Sequence, residues 1–449
     1  MSRSPLLDGD ACAAMARRVL ECATDAGASD AEVLVRSQRT TRMSSRAGEG
    51  SGPHVTTEVL VRTYLPDGGV GKATGSVSGP TAAEALVTPA LARARSARAS
   101  KTGVVPERYD IPTSGLGLWD FRLEHITDED RQEVVDNNDE GCRSAGSEVR
   151  CSAFVYDEKV THRAYVASTG ADAQESGTHY RLEGSAFLAR DPGVCLTEVK
   201  ESRLFADVGS VPMGVSLGRR LLSLKRKGRA PAGPLPLVLA PRVIAGILEH
   251  LAPAFDARLI QAGKSFLKDH LGTLIASPRV HLTDDAIMTG GLKARAFDGF
   301  GIPPIAIHLL REGVADQTYQ APEIAQTRGG RPTGHVDWDG SLWTGNLTLR
   351  PGKRSRNMIF AEMQKYLEVV DVDDFSGVNL STGRLSLPAR TIVAQGGQTE
   401  GHLGKIQLEC SISELLSAVK ELGNDQARYR NVDASTVVLE GIDLGLGGK

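Results

Sequence analysis

Long apolar runs are missing from this 449-residue chain. No stretch of 18 consecutive apolar residues occurs, so no transmembrane helix is expected. The N-terminal MSRSPLLDGDACAAMARR has no long apolar core followed by a small-residue cleavage site. No signal peptide is expected, and the chain reads as cytoplasmic. A charge excess is also missing. Lys and Arg total 52 against 55 Asp and Glu, a net −3, which gives no footprint for nucleic acid or membrane. None of the six cysteines (Cys12, Cys22, Cys142, Cys151, Cys195, Cys410) forms a CxxC pair, which leaves zinc-ribbon and thioredoxin-like chemistry unsupported. They are expected to be reduced, several of them buried as small apolar residues. No two of the ten histidines stand three or four apart. There is no G-x-S-x-G, no Walker loop and no repeat of fixed period.

What is present is ample core material, 41% apolar residues, in a length that fits two large domains or three ordinary ones. Residues 9–26 carry helical spacing, and AEVLVRS alternates like a half-buried strand. Two β-prone runs flank Pro66-Asp67-Gly68-Gly69, which is hairpin chemistry. The run 81–98 reads as a helix bent or interrupted at Pro89. An acidic helix is expected over 127–141, with RCSAFVYDE and HRAYVAST as strands. A helix from Met213 ends in a basic, Pro/Gly-rich tail, which sets the domain boundary near 230. The Arg219-to-Arg229 charge run reads as a solvated face. Beyond it, PLPLVLA reads as a strand, 241–256 as a helix and 412–423 as another helix, among segments that otherwise alternate like strands. The glycine-rich GVGKATG follows a turn, so it does not read as a phosphate loop. The Asp284-Asp285 pair reads as a turn or cap, because adjacent carboxylates at a strand end point apart.

The stretch GILEHLAPAFDARL, 246–259, sets Glu249 beside His250. At 100° per residue Val243, Ile244, Ile247, Leu248, Leu251 and Phe255 form one stripe, with Glu249 nearly opposite. Taken alone, this is an amphipathic helix with a surface glutamate and a half-buried histidine. Its context carries more. Downstream stand GKSFLKDHLGTLIASPRVHLTDD (263–285), GGLKARAFDGFGIP (290–303), RPTGHV (331–336), VNLSTGRLS (378–386), ELGND (421–425) and ASTVVLEGIDLGLGG (434–448). In this order they resemble the TldD/PmbA metallopeptidase family, and GGVGKATGSVS resembles its N-terminal hairpin. One departure is Phe300, where the family's F-D-x-E-G has its acid.

The resemblance implies an α+β, two-domain fold. Residues 1–230 would place helices on a curved, mostly antiparallel sheet, and 231–449 would be strand-rich and carry the 241–256 helix. TldD-type chains of the family are zinc peptidases with H-E-x-x-x-H on this helix and a cysteine just after G-N-D. TldE-type chains, also called PmbA, lack these ligands and pair with a TldD-type chain. Counted back from Ser265, the histidine positions fall on Leu248 and Pro253 and the glutamate on Glu249. The cysteine position falls in ARYRNVDAS, which holds none. Leucine and proline supply no zinc donor. The resemblance therefore implies a chain with no catalytic residue and no metal of its own. It would be the metal-free half of a heterodimer whose TldD-like partner carries Zn²⁺ and hydrolyses unfolded or small peptides or peptide-like natural-product precursors. Arg295, Asp298, Thr333, Gly334 and His335 would belong to the wall of the substrate cleft. Two other readings stand beside it: a stand-alone binding or scaffold protein, perhaps a homodimer, and a hydrolase relocated to Cys410 with a histidine such as His335.

Overall fold

A computed structural model of the chain describes residues 5–97, 108–112, 115–231 and 233–442. The first six strands are β1 Asp30–Ser44, β2 Ser51–Tyr64, β3 Val70–Ser76, β4 Val149–Ala167, β5 Asp172–Leu188 and β6 Asp191–Ser202. They form one curled antiparallel sheet in the order β3-β2-β1-β4-β5-β6. The β2–β3 hairpin turns where Pro66–Gly69 predicts, with Gly68 at φ +83°.

Side chains alternate across these strands. Val33, Val35, Val59 and Val61 meet the helices Gly9–Asp25 and Val87–Ser96, while Phe154, Tyr156, Tyr180 and Leu182 meet Asp128–Ser144 and Met213–Ser223. All four helices thus lie on one face. Two of them begin on side-chain caps, Asp8 to Ala11 N at 2.8 Å and a Thr127–Asp130 capping box, each satisfying first-turn N–H groups. The opposite face carries Leu34, Leu60, Tyr64 and Tyr165, which close on Ala296 and Phe297.

The later strands are β7 Leu237–Leu239, β8 Leu282–Asp285, β9 Ile307–Arg311, β10 Val314–Ala315, β11 Asn346–Leu349, β12 Tyr366–Val372, β13 Val378–Asn379, β14 Arg384–Gln395, β15 Gln398–Ser411, β16 Val419–Leu422, β17 Ala427–Tyr429, β18 Val432–Ala434 and β19 Val437–Leu439. They build two sheets, β10-β9-β8-β11-β18-β17 and β13-β14-β12-β7-β19-β16, with β15 paired to β14. The helix Pro241–Leu251 lies in the core between them. Its stripe Val243, Ile244, Ile247, Leu248 and Leu251 packs with Leu239, Val369 and Leu387 of one sheet and Leu282, Leu347 and Val432 of the other. Burying a leucine or isoleucine stabilises by about 1.5–3 kcal/mol, so this stripe anchors the half.

The architecture is α+β, as expected, and several local expectations change. The 81–98 run breaks after Glu84, not at Pro89, which sits in the first turn of Val87–Ser96 where its missing N–H costs nothing. RCSAFVYDE and HRAYVAST are one continuous strand, β4. The 412–423 helix stops at Ser417, and Val419–Leu422 instead pairs with β19, since a tertiary strand partner overrides helix propensity. Helix 241–256 is α-helical to Leu251 and tightens to a 3₁₀ turn over Ala252–Phe255. The basic run is not simply solvated: Arg220 turns inward to pair with Glu198, and Lys225 reaches Glu148 at 2.7 Å.

Candidate functional site: a helix without its ligands

The site helix enters from β7 with Pro241 in its first turn and leaves through the 3₁₀ turn that holds Pro253. Ser265 fixes that exit. Its hydroxyl donates to the Ala254 carbonyl at 2.7 Å and accepts from Leu267 N at 3.2 Å. Leu248 is fully buried, wedged among the strands of both sheets. His250 bonds through Nδ1 to the Gly246 carbonyl at 2.9 Å and stacks on Phe375 at 5.2 Å. That ring is satisfied inside its own helix and neighbouring loop.

Glu249 does not stand free. Arg430 reaches it at 3.2 Å, and the same guanidinium lies 3.6 Å from Glu201 of β6. Arg430 sits in the ARYRNVDAS segment, at φ +55°, a conformation costly for a residue with a Cβ and held here by the turn between β17 and β18. Glu201 is kept below the usual carboxylate range: His179, Arg430 and Arg181 outweigh its burial. A cation therefore already faces the one carboxylate left on the helix.

These donors do not fit zinc. Leu248 offers carbon, Pro253 offers no side-chain donor, and Glu249 is matched to a guanidinium. Among the described residues, no three His, Cys, Asp or Glu side chains cluster so as to hold a metal ion.

The remaining candidates are placed as follows. Asp298, Thr333 and His335 are buried, and Gly334 takes φ +71° beside them. Asp298 accepts from Phe300 N, Ile302 N and Val336 N at 2.8–3.2 Å. Burial pushes its carboxyl up to about 6 against those donors and nearby Arg295. Arg295 lies 3.4 Å over the Trp343 ring, and desolvation followed by the charge of Arg163 holds its guanidinium down to about 10. His335 donates through Nδ1–H to the Thr333 carbonyl, 2.8 Å away, between Tyr319 and Trp343.

Asp284 corrects its expectation. It is a fully buried strand residue that accepts from Tyr319 Oη at 2.6 Å and Gly345 N at 2.8 Å, while Asp285 alone caps the turn, at Ile287 N. The relocated-hydrolase reading finds no geometry either. Cys410 lies on β15 opposite Leu385 with its thiol pushed up to about 11 by burial, and His335 is enclosed elsewhere. At Phe300, Arg62 lies 3.9 Å from the ring centre and pairs with Glu32 at 3.0 Å.

Sequence reasoning missed Arg430 and Arg62. The partners lie 181 and 238 positions apart, beyond any local periodicity, and only the placement of Arg430 in the cysteine segment offered a signal.

Fold and site together define a two-part α+β chain whose strand-rich half holds the helix Pro241–Leu251 in its core, with Leu248 buried and Glu249 paired to Arg430. Residues 232–446 match the PmbA/TldA metallopeptidase C-terminal domain. The metalloprotease PmbA of Escherichia coli O157:H7 is 22% identical over 227 residues, 51% of this chain and 49% of that protein. A PmbA homolog of Haemophilus influenzae is 22% identical over 231 residues, again 51% and 49%. These alignments span about half the length of the curated relatives. In fold the likeness is nearly complete. A structure from Thermotoga maritima, titled as a modulator of a DNA gyrase, superimposes with a TM-score of 0.85 at 21% identity, covering 95% of this chain and 98% of that one. TldE from Thermococcus kodakarensis gives 0.82 at 17%, covering 95% and 99%. Residues 232–446 thus carry the C-terminal domain of the PmbA/TldA metallopeptidases, and the chain as a whole is similar to these proteins in fold.

Proposed function

We propose that this chain is the metal-free, TldE-like subunit of a heterodimeric zinc metallopeptidase acting on unfolded or small peptides or peptide-like precursors in the cytoplasm. The observation that carries the reading is the Glu249–Arg430 pair beside a core-buried Leu248. A catalytic zinc needs three protein ligands and an open position for water. Here two nitrogen positions are carbon or imino acid, and the carboxylate is neutralised by a guanidinium. The partner would supply the zinc and the base, and this chain would enclose the cleft from one side. Arg295, Asp298, Thr333, Gly334 and His335 would support that wall from behind.

The test is co-expression with a TldD-like chain, followed by size-exclusion chromatography, zinc analysis and peptide turnover. A 1:1 complex with zinc in the partner and turnover only in the complex is expected. An obligate interface of this kind buries upwards of about 2,000 Å². Full turnover by the partner alone, or stoichiometric chelator-resistant zinc in this chain alone, defeats the reading.

A further inference from the structure

A cleft of about 550 Å³ lies between the two halves of the molecule, within the size range of small-molecule sites. Its walls are the edge strand β6, the helix Met213–Ser223 and the outer face of β12 and β14. On β12 alternation sends Leu367 and Val369 to the core around the site helix and Tyr366, Glu368 and Val370 to the cleft. Apolar side chains would ordinarily seal such a face. Here it meets guanidinium groups.

Glu198 of β6 serves two of them, Arg220 and, at 3.1 Å, Arg242. Arg242 also pairs with Asp371 at 3.3 Å and donates to the Thr197 carbonyl at 2.8 Å. Arg356 is committed to Glu368 at 2.6 Å and Thr436 at 3.1 Å. Arg220 has Glu198 as its single acceptor among the described residues, so most of its five N–H donors are uncommitted. Desolvation and the adjacent charge of Arg242 hold its guanidinium below the usual arginine range, so a further anion beside it would be favoured. At the floor, the buried hydroxyl of Tyr366 makes no hydrogen bond of ordinary geometry. Leu196, Met213, Val370 and Ile392 supply apolar wall.

Two competing occupants are disfavoured. An added β-strand would need the free edge of β6, but arginines already cap its Thr197 and Gly193 carbonyls. A phosphate dianion would face Glu198 and Glu368 at close quarters, and like charges cost more the less water there is.

We propose that this cleft binds a small organic carboxylate, its charge on the free donors of Arg220 and its apolar group on the Leu196–Ile392 wall. A peptide C-terminus with an apolar last residue has this chemistry. The proposal stands whether or not the chain pairs with a metal-bearing subunit.

Calorimetric titration of the full chain with N-acetyl-L-phenylalanine, its amide and phenyl phosphate tests it. The acid is expected to bind with a Kd near or below about 1 mM, at least roughly tenfold tighter than the amide. Arg220→Met should erase that preference. Ser216→Trp fills the mouth from an exposed helix position, so it should abolish binding without lowering the melting temperature, and it decides the matter if Arg220→Met does not fold. Equal binding of acid and amide, no binding of either, tighter binding of phenyl phosphate, or an unaltered affinity in Ser216→Trp overturns the proposal.

Discussion

At the scale of residues, the decisive pair is Glu249 with Arg430. Its side chains are 19% and 55% exposed, so solvent screens the interaction. Exposed pairs contribute about 0–1 kcal/mol. Glu249→Gln should therefore shift the denaturation midpoint by less than the equivalent of about 1 kcal/mol, and leave turnover of the proposed complex within about twofold. A hundredfold loss of turnover would mean that Glu249 works across the interface. Leu248 and Pro253 behave differently. Leu248→His with Pro253→His restores the histidine spacing but puts an imidazole in a dry core. Removing a buried leucine costs about 2–5 kcal/mol, and no cysteine follows Asp425. A clear fall in melting temperature without metal, weak zinc binding by chelator competition and no peptidase turnover are expected. Efficient turnover by this variant alone would show that a third ligand was in place. Asp298 supplies a pH signature. Its folded value of about 6 lies above its ordinary 3.8, so the folded state holds the proton more tightly than the unfolded chain. Its contribution to stability is fully present below about 3.8 and is lost as pH rises to about 6. The stability of the native chain relative to Asp298→Asn, read from urea midpoints, should fall across that window and level off above it. A flat difference would contradict a raised carboxyl.

At the scale of elements, the site helix was legible because its burial is periodic. Six stripe residues, a starting proline and the count back from Ser265 needed only local spacing. What stayed hidden was set by contacts between elements. The segment 419–422 has helical composition, yet β19 recruits it as a strand. Arg220 looked like one charge in a solvated run, and only the approach of β6 gives it Glu198. The enclosure of His335 between Tyr319 and Trp343 likewise depends on residues 16 and 8 positions away, outside its RPTGHV motif. Arg203 shows how strongly such contacts matter. It follows β6 and donates to the carbonyls of Gly291, Leu292, Ala294 and Thr178 at 2.8–3.4 Å. Desolvation holds its guanidinium down to about 10. Arg203→Met would strand several carbonyls, and each such loss costs about 1–3 kcal/mol. A loss of roughly 2–4 kcal/mol by chemical denaturation is expected, with little recovery in Arg203→Lys, whose point charge cannot span the fork. A loss under about 0.5 kcal/mol would put the interaction in the class of ordinary surface contacts.

At the scale of the whole molecule, the two halves meet across the open face of the first sheet as well as along the edge of β6. Arg62 donates to the Gly299 and Trp338 carbonyls, Arg163 to Phe297, Arg203 to the 291–294 loop and Lys72 to Asp339. In these hydrogen bonds the sheet side supplies the side chains and the C-terminal loops supply main chain; along β6 the roles reverse, with Arg242 and Arg390 donating to the Thr197 and Gly193 carbonyls. Every amino acid brings the same carbonyl, so substitutions along those loops leave the acceptors untouched. For these main-chain hydrogen bonds the sequence information lies in the four cationic positions on the sheet side, Arg62, Arg163, Arg203 and Lys72. A joint of this kind tolerates drift at the loop positions whose carbonyls alone take part, while Phe297, Gly299 and Gly301, which fit against the sheet or the neighbouring loop, stay fixed by shape.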